Sequence, residues 1–323
     1  MNKSLFIVGM PRSGTKLLRA LVHRHPSVEI LKYETNFLPY WFKSWDRFGD
    51  LSERSHFQRF YDEMCALPYF YLMRQDGELI GMETWYDTCE DFSIRGVFGA
   101  LARHDTGIGQ GEGRIWGDKS VNYGFHLEDI LRHFPDARIV HIVRDVRDQS
   151  LSIRKAWGKN MYRSAQRWTD NVAATLETAQ RHPDAMLTIR YEDLLNDTAN
   201  ELKRVCSILD IDFDERMTEL DAAVESLGAA RGAKSIVTTN SRKYLNELPQ
   251  DTVRRLEQIS SDMLAAYGYP VSDGIVQRRV PRPLMFVFRL LDGFEFVRSN
   301  KRARRQLWSA RHRIVQHMKA RIQ

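Results

Sequence analysis

Residues Ser4–Val28 have the sequence SLFIVGMPRSGTKLLRALVHRHPSV. An apolar strand runs into a glycine-bearing loop and then directly into a helix, predicted from about Gly14 to His25. In this geometry the loop amides and the first N–H groups of the helix point at one spot, which suits a phosphate-like anion. The stretch therefore predicts an anion-binding loop at the start of an α/β fold.

This loop departs from that of the nucleotide triphosphatases, G-x-x-x-x-G-K-[ST], where the hydroxyl after the lysine holds Mg²⁺. Gly9 and Gly14 have the required spacing, but Thr15 and Lys16 stand in reverse order and Leu17 follows the lysine. An ATP-dependent small-molecule kinase is therefore the weaker alternative, because the metal-binding hydroxyl is missing.

The composition is that of a globular protein, with 323 residues, 43% hydrophobic and 28% charged. Such a chain suffices for one large domain with an appendage. A strand starting near Ser4 leaves no room for a signal peptide, and no uncharged apolar run is long enough for a membrane span. Cys65, Cys89 and Cys206 lack CxxC-type spacing and suggest reduced thiols rather than disulfides or a zinc site. We expect a cytoplasmic protein.

Positive charge is concentrated at the C-terminus. Residues 278–323 hold 13 Lys/Arg and 2 Asp/Glu, a net of +11, so the chain's total of +6 leaves −5 for residues 1–277. A mildly acidic body argues against a specific nucleic-acid-binding surface there. We predict a domain over residues 1–277 and a basic amphipathic helical tail over residues 278–323.

Strands alternate with helical stretches along the rest of the body. Strands are predicted within Gly113–Ser120, at Arg138–Val143 and at Met186–Ile189, whereas Tyr33–Asp105 is mostly helical. The fold class predicted is α/β, a P-loop-like three-layer sandwich with a central parallel sheet flanked by helices, plus the basic tail. Ligands of such sheets bind at the carboxyl ends of the strands.

A second anion site is predicted in HIVRDVRDQSLSIRKAW, His141–Trp157. Arg144 ends a strand, and Ser152 follows about two helical turns along, so both side chains can approach one ligand group. An exposed arginine and a surface serine are the ordinary alternative. Together with the first loop, the pattern favours one ligand that carries two separated anionic groups.

Four motifs resemble the sulfotransferase family, whose members use 3′-phosphoadenosine 5′-phosphosulfate (PAPS). They are PRSGT (Pro11–Thr15), WGDKS (Trp116–Ser120), RDVRDQSLS (Arg144–Ser152) and RYEDL (Arg190–Leu194). The resemblance runs from about residue 4 to about residue 270 and is closest to the bacterial carbohydrate and tyrosylprotein branch. It implies an enzyme that transfers a sulfuryl group from PAPS to an acceptor hydroxyl.

The resemblance also assigns the co-substrate's contacts. Residues Arg12–Lys16 would hold the 5′-phosphosulfate, Arg144 and Ser152 the 3′-phosphate, and Tyr191 would border the nucleotide. A late loop at about residues 228–243 adds two lysines. The implied cofactor-binding residues are Arg12, Ser13, Gly14, Thr15, Lys16, Arg144, Ser152, Tyr191, Lys234 and Lys243.

A sulfuryl group in transfer carries less negative charge than a phosphoryl group. Arg12 and Lys16 could therefore neutralise the developing charge without Mg²⁺, by electrostatic preorganisation. The histidines show no metal-ligand spacing, and we expect no metal. This chemistry accounts for a lysine that no metal-binding hydroxyl follows.

The base predicted for the reaction is Glu34, which corresponds by resemblance to the catalytic Glu-Thr of the tyrosylprotein branch. Histidine, the base of cytosolic sulfotransferases, would follow the strand near Gly117, but Asp118 and Lys119 stand there and the next histidine is His126. A carboxylate that serves a helix dipole is the ordinary alternative for Glu34.

Two expectations concern the surroundings of the base. Lys119 would stabilise the departing sulfuryl oxygens, or else pair with Asp118 on the surface. Nearby aromatic residues could desolvate Glu34 and raise its pKa, stack on an acceptor, or belong to the core. These aromatic residues are Tyr33, Phe37, Tyr40 and Trp41.

The tail Pro281–Gln323 lies outside the resemblance. In Leu284–Val297, Arg289, Asp292 and Glu295 form a polar stripe on an otherwise apolar helix. A second apolar face consists of Leu307, Trp308, Ile314, Val315, Met318 and Ile322. A basic amphipathic helix fits an anionic membrane surface. Docking on the enzyme body, a homodimer contact and nonspecific nucleic-acid binding are the alternatives.

The acceptor predicted is a hydroxyl on a carbohydrate or glycolipid, with tyrosine in a peptide as the alternative. Acceptor loops would lie in Tyr33–Asp105, where the sequence pattern is irregular. A non-catalytic nucleotide-binding protein is a further alternative, which a Glu34→Gln substitution would leave unaffected. We expect a cytoplasmic enzyme, peripheral on the inner face of the cell membrane.

Overall fold

A computed structural model describes residues 3–224 and 230–299. Its five strands form one sheet in the order β2-β3-β1-β4-β5, and all four pairings are parallel. The strands are β1 (Ser4–Val8), β2 (Val28–Ile30), β3 (Ile115–Lys119), β4 (Ala137–Val143) and β5 (Met186–Arg190). The sheet confirms the predicted α/β class.

Two compact units divide the chain, one of Met1–Asp145 with Asp170–Ser241 and one of Val146–Thr169 with Arg242–Gln323. The first unit contains the whole sheet. The helices are α1 (Thr15–Val22), α2 (Leu38–Ser44), α3 (Arg54–Met64), α4 (Pro68–Asp76), α5 (Met82–Thr88), α6 (Ile94–Thr106), α7 (Leu127–His133), α8 (Val146–Trp157), α9 (Met161–Arg181), α10 (Tyr191–Asn196), α11 (Thr198–Leu209), α12 (Tyr244–Glu247), α13 (Gln250–Ala266) and α14 (Arg282–Ser299). The boundary at residue 277 stays a prediction.

The side chains of β1 point alternately to the two faces of the sheet, and each face is covered by a layer of helices in the first unit. Every residue of β1 is buried, as in a central strand with both faces covered. Phe6 points to one face, where it packs with the rings of Phe98 on α6 and Phe134. Leu5 and Ile7 point to the other face and share a core cluster with residues of α1, α10 and α11. The sheet is thus covered by helices on both faces.

Two element boundaries differ from the sequence predictions. Helix α1 ends at Val22, three residues before the predicted His25. Strand β2 was not predicted, because its three residues are too short a run to show a period of two. β2 nevertheless matters for function, since it carries the chain to Glu34.

Of the polar stripe predicted on helix α14, Asp292 is buried, whereas Arg289 is exposed and Glu295 is half-buried. Asp292 is buried, pairs with Arg163 at 2.8 Å and accepts a hydrogen bond from the Asn160 amide at 2.7 Å. Large apolar side chains are exposed, namely Leu284, Phe286, Val287, Leu290, Leu291 and Phe294.

Beyond α14, the predicted apolar face from Leu307 to Ile322 lies outside the described residues. None of the described helices is long and apolar enough to cross a membrane.

Candidate active site

Parallel pairing brings the carboxyl ends of all five strands to one edge of the sheet. The segments that follow these strands in the first unit carry Arg12 after β1, Glu34 after β2, Arg144 after β4 and Tyr191 after β5, and Lys119 is the last residue of β3. Five of the residues predicted for the site therefore come from five different strand ends on the same edge.

The loop between β1 and α1 has the shape of an anion-binding loop. Arg12 and Gly14 both have positive φ, of 68° and 94°. A Cβ on Gly14 would collide with the ring of Tyr191, so only glycine fits there. The Ser13 side chain is fully buried, and its Oγ has no hydrogen-bond partner among the described residues. A buried unpaired hydroxyl at a helix start suits an anionic oxygen.

Arg144 links this loop to the late loop. Its guanidinium donates to the Arg12 carbonyl at 3.2 Å and to the Asn240 carbonyl at 2.8 Å. It also lies 4.5 Å from the ring centroid of Tyr191, whose hydroxyl accepts a hydrogen bond from Asn240 at 2.8 Å. Arg144 is thus held in place beside the anion loop by backbone and aromatic contacts.

A first cavity opens beside these groups. Charged Arg12 and Arg144 border one part of it, while the remaining wall is mostly apolar. The cavity is lined by Arg12, Gly14, Leu17, Arg144, Tyr191, Leu195, Leu220, Val224, Ala230, Ala233, Ser235, Ile236, Val237 and Asn240. Cationic groups next to an apolar wall suit a phosphorylated nucleoside.

A second cavity, here called the acceptor cleft, contains the predicted base. Lys119 is only 6% exposed and pairs with Glu34 Oε1, and the Glu34 side chain is 30% exposed. Asn36 Nδ2 donates to the other oxygen, Oε2, at 3.1 Å. The cleft is lined by Lys16, Arg19, Ala20, His23, Arg24, Leu31, Lys32, Tyr33, Glu34, Lys119, Leu220, Asp221, Ala222, Ala223 and Val224. Glu34, Lys119 and Lys16 therefore meet in one open space.

The alternative raised for Lys119, a pairing with Asp118 on the surface, is wrong, because Lys119 pairs with Glu34 and Asp118 is fully buried. Thr35 donates to its Oδ2, and Ser120 donates to its Oδ1 at 2.9 Å. Burial raises the pKa of Asp118 to about 6, although these two hydrogen bonds and Lys119 act to lower it. Strand alternation could have indicated that Asp118 does not pair with Lys119, because consecutive side chains of a strand point to opposite faces.

The aromatic residues around Glu34 belong in part to the core. Phe37 and Trp41 are buried, with their ring centroids 4.8 Å apart. The hydroxyl of Tyr40 bonds to Glu63. Tyr33 is the member of this group that lines the acceptor cleft. The core alternative raised for these residues is therefore correct for Phe37 and Trp41.

Three further residues were predicted to bind the co-substrate. Lys234 is exposed in the late loop of the first unit, where its neighbours Ala233 and Ser235 line the first cavity. Ser152, on α8, and Lys243, just before α12, belong to the second unit and are half-buried. Their assignment to the nucleotide stays a prediction. Among residues 3–224 and 230–299, no three His, Cys, Asp or Glu side chains form a group able to hold a metal ion.

Known proteins resemble this chain at several levels. A Caenorhabditis briggsae protein named "Putative protein-tyrosine sulfotransferase" is 22% identical over 286 residues, which cover 83% of this chain and 89% of that protein. The sulfotransferase domain from the curacin biosynthetic pathway matches 84% of this chain and 99% of its own length at 19% identity, with a TM-score of 0.57. The sulfotransferase domain from the Synechococcus PCC 7002 olefin synthase matches 84% and 96% at 22% identity, with a TM-score of 0.53.

The model of the family described as "Sulfotransferase family" matches residues 4–215. That range covers the anion loop, Glu34, Lys119, Arg144 and Tyr191. The predicted enzyme class, a PAPS-dependent sulfotransferase, is therefore confirmed, and the chain belongs to the sulfotransferase family.

Proposed function

We propose that the protein transfers the sulfuryl group of PAPS to a hydroxyl of a carbohydrate or glycolipid, with Glu34 as the general base. The observation that carries this proposal is the meeting of Glu34, Lys119 and Lys16 in the acceptor cleft. A carboxylate, two ammonium groups and an adjacent anion loop are the groups that in-line transfer to a hydroxyl needs.

Each residue has a chemical task in this proposal. The loop amides, Arg12 and Lys16 bind the phosphosulfate and neutralise charge on the bridging oxygen as its bond to sulfur breaks. Glu34 accepts the proton of the acceptor hydroxyl while that oxygen forms its bond to sulfur. Lys119 is buried beside Glu34, close enough to orient the carboxylate and to support the sulfuryl oxygens. Arg144 binds the second anionic group of the co-substrate.

The wall of the acceptor cleft supports a polar acceptor. Arg24 and Asp221 pair across one part of it, and Lys32 pairs with Asp76 at 2.6 Å near Tyr33. Tyr33 is the aromatic residue among the lining groups. Nine of the fifteen lining residues are polar or charged, which suits a sugar better than an apolar alcohol. Tyrosine in a peptide is the second acceptor class, and the name of the Caenorhabditis relative supports it.

A Glu34→Gln variant tests the chemistry. We expect kcat to fall by about 10²- to 10⁴-fold, because the amide cannot take the proton. The desulfonated co-substrate, 3′-phosphoadenosine 5′-phosphate (PAP), should still raise the melting temperature of the variant without Mg²⁺. Product masses from sugar, glycolipid and tyrosine-peptide acceptors, incubated with PAPS, identify the acceptor class.

Glu83→Gln is the matched control, because Glu83 pairs with Arg54 on the surface and is outside both cavities. It should keep wild-type kcat. Full activity of Glu34→Gln would remove Glu34 as the base. Stabilisation by ATP with Mg²⁺, and not by PAP, would contradict the assignment of the anion loop and Arg144.

Peripheral attachment to the inner face of the cell membrane is the second part of the proposal. Helix α14 exposes a large apolar face, with Phe286 60%, Leu290 57% and Phe294 68% exposed. By sequence, residues 278–323 carry a net charge of +11, and one of their two acidic residues, Asp292, is buried against Arg163. An apolar helix face with basic surroundings fits anionic lipid. Like charges on two copies disfavour homodimerisation through this face.

A further inference from the structure

Each oxygen of the Asp118 carboxylate accepts a hydrogen bond from a hydroxyl group. Thr35 donates to Oδ2, and Ser120 donates to Oδ1 at 2.9 Å. The Tyr123 hydroxyl lies 2.5 Å from Thr35 Oγ1. Because the single proton of Thr35 goes to Asp118, Tyr123 has to donate to Thr35. Successive donors therefore point towards one buried carboxylate, an arrangement in which each hydrogen bond strengthens the next.

The same network holds the backbone that follows the base. The Asn36 amide donates to Ser120 Oγ at 3.3 Å, and the Leu38 amide donates to the Tyr123 hydroxyl at 3.5 Å. Asn36 has a φ of 54°, in the left-handed region, which asparagine adopts more readily than other non-glycine residues. In this conformation its Nδ2 reaches Glu34 Oε2 at 3.1 Å. Contacts with the network thus hold a left-handed turn directly beside Glu34.

Strand β3 connects this network to the other partner of the base. Asp118 and Lys119 are consecutive, so their side chains leave the strand on opposite faces. Asp118 is fully buried on one face, and Lys119 pairs with Glu34 on the other. We infer that Asp118 is a positioning residue for Glu34, which anchors the turn Thr35–Leu38 to the end of β3 and so sets the base against Lys119. This inference rests on the proposed role of Glu34 as the base.

The anchor requires the ionised form of Asp118, because a protonated carboxyl would present its own O–H to hydroxyls that already donate. The pKa of Asp118 is raised to about 6, mainly by burial. The charged and titratable groups around it are Lys119 on its own strand, Glu34, Arg19 of α1, Tyr69 of α4 and Tyr123. We therefore expect the turn to loosen as the pH falls through about 6.

Four variants test the inference. Asp118→Asn and Thr35→Val break the anchor, whereas Thr35→Ser keeps the hydroxyl and should restore wild-type behaviour. Thr169→Val is the matched control, since Thr169 is 5% exposed, as against 4% for Thr35, and hydrogen-bonds to Ser260 in the second unit. For the two breaking variants we expect kcat to fall by about 10²-fold, the scale of misplacing a reacting group by 1 Å. Stabilisation by PAP should be unchanged.

Amide hydrogen exchange gives a readout that does not depend on turnover. The amides of residues 35–38 should exchange about tenfold faster in Asp118→Asn and Thr35→Val than in the wild type, Thr35→Ser and Thr169→Val. The fall of wild-type kcat near pH 6 should be absent from Asp118→Asn. Unchanged exchange in Asp118→Asn, or equal loss of kcat in Thr35→Ser and Thr35→Val, would overturn the inference. A wild-type protein that sulfates no acceptor would refute the proposed function, while the exchange rates would still decide whether Asp118 holds the turn.

Discussion

Gly14 occupies a position where both the backbone angle and the surrounding space exclude a side chain. Its φ is 94°, and a Cβ would strike the ring of Tyr191. Gly77 is a natural comparison, because its φ is 77° and a Cβ added there would meet no atom within 4 Å. A comparison of the two positions therefore separates the cost of a positive φ from the cost of a steric clash.

Substitution of each glycine by alanine should give different outcomes. Gly77→Ala should lower the free energy of unfolding by about 1 kcal/mol, the cost of a left-handed alanine, and leave PAP binding intact. Gly14→Ala carries the same strain and also displaces Tyr191, so stabilisation by PAP should be lost. Thermal unfolding with and without PAP measures both effects. Equal PAP binding by the two variants would contradict the role assigned to the anion loop.

Single residues of the site could be predicted to the extent that they belong to a local motif. The anion loop follows from glycines, an arginine and a lysine between a strand and a helix, and Glu34 from a resemblance in a short segment. Asp118 could not be predicted in this way, because its burial comes from pairing of β3 with β1, which sets Phe6 opposite it. Strand alternation shows locally that Asp118 and Lys119 point to opposite faces, but which of the two faces is covered depends on a strand about 110 residues away.

Helices α8 and α13 are joined by a buried ion pair within the second unit. Arg147 Nη1 lies 2.6 Å from Glu257 Oε1, and the two side chains are 3% and 2% exposed. Glu257 Oε2 also accepts a hydrogen bond from the Ser272 amide at 3.3 Å. Loss of Glu257 would remove the carboxylate that pairs with a buried arginine.

Glu257→Gln should therefore lower the free energy of unfolding by about 3 kcal/mol. The exposed pair between Arg54 and Glu83 provides the control, and Glu83→Gln should cost less than about 1 kcal/mol. Denaturant unfolding of the three proteins measures the difference. Similar midpoints for both variants would show that the buried pair contributes no more than a surface pair.

The elements were predictable where the sequence pattern was long. Strands β1, β3, β4 and β5, which have five to seven residues, overlap the stretches predicted as strands, whereas the three residues of β2 gave no usable pattern. For α14, the three-residue recurrence of Arg289, Asp292 and Glu295 identified a helix with a polar stripe, and not its direction. The pattern does not show which side of α14 faces the protein, because Asp292 is paired with Arg163, which lies on α9 and far away in sequence.

The distribution of charge over the whole chain supports a membrane test. Residues 1–277 carry −5 and residues 278–323 carry +11, so attraction to anionic lipid should come from the tail. We expect the protein to float with anionic vesicles at low salt and not with zwitterionic ones. Leu290→Ser with Phe294→Ser should abolish flotation, because both side chains are exposed on the apolar face of α14.

Val276→Ser is the control, since Val276 is 70% exposed but lies outside α14. It should float like the wild type. Sedimentation equilibrium tests the alternative, that a second copy of the chain covers the apolar face of α14. A dimer that the double variant dissociates, with no flotation of the wild type, would assign the face to a second copy instead of lipid.

The order of the strands also has a consequence for synthesis of the chain. β1 is made first but lies between β3 and β4, which begin at Ile115 and Ala137. Its five buried residues can therefore be paired on both sides only after His141 has left the ribosome. Non-local pairing of this kind slows folding and leaves an apolar strand exposed to chaperones or to aggregation. Of the five strands, β1, which leads into the anion loop, therefore has the longest interval between its synthesis and the synthesis of its pairing partners.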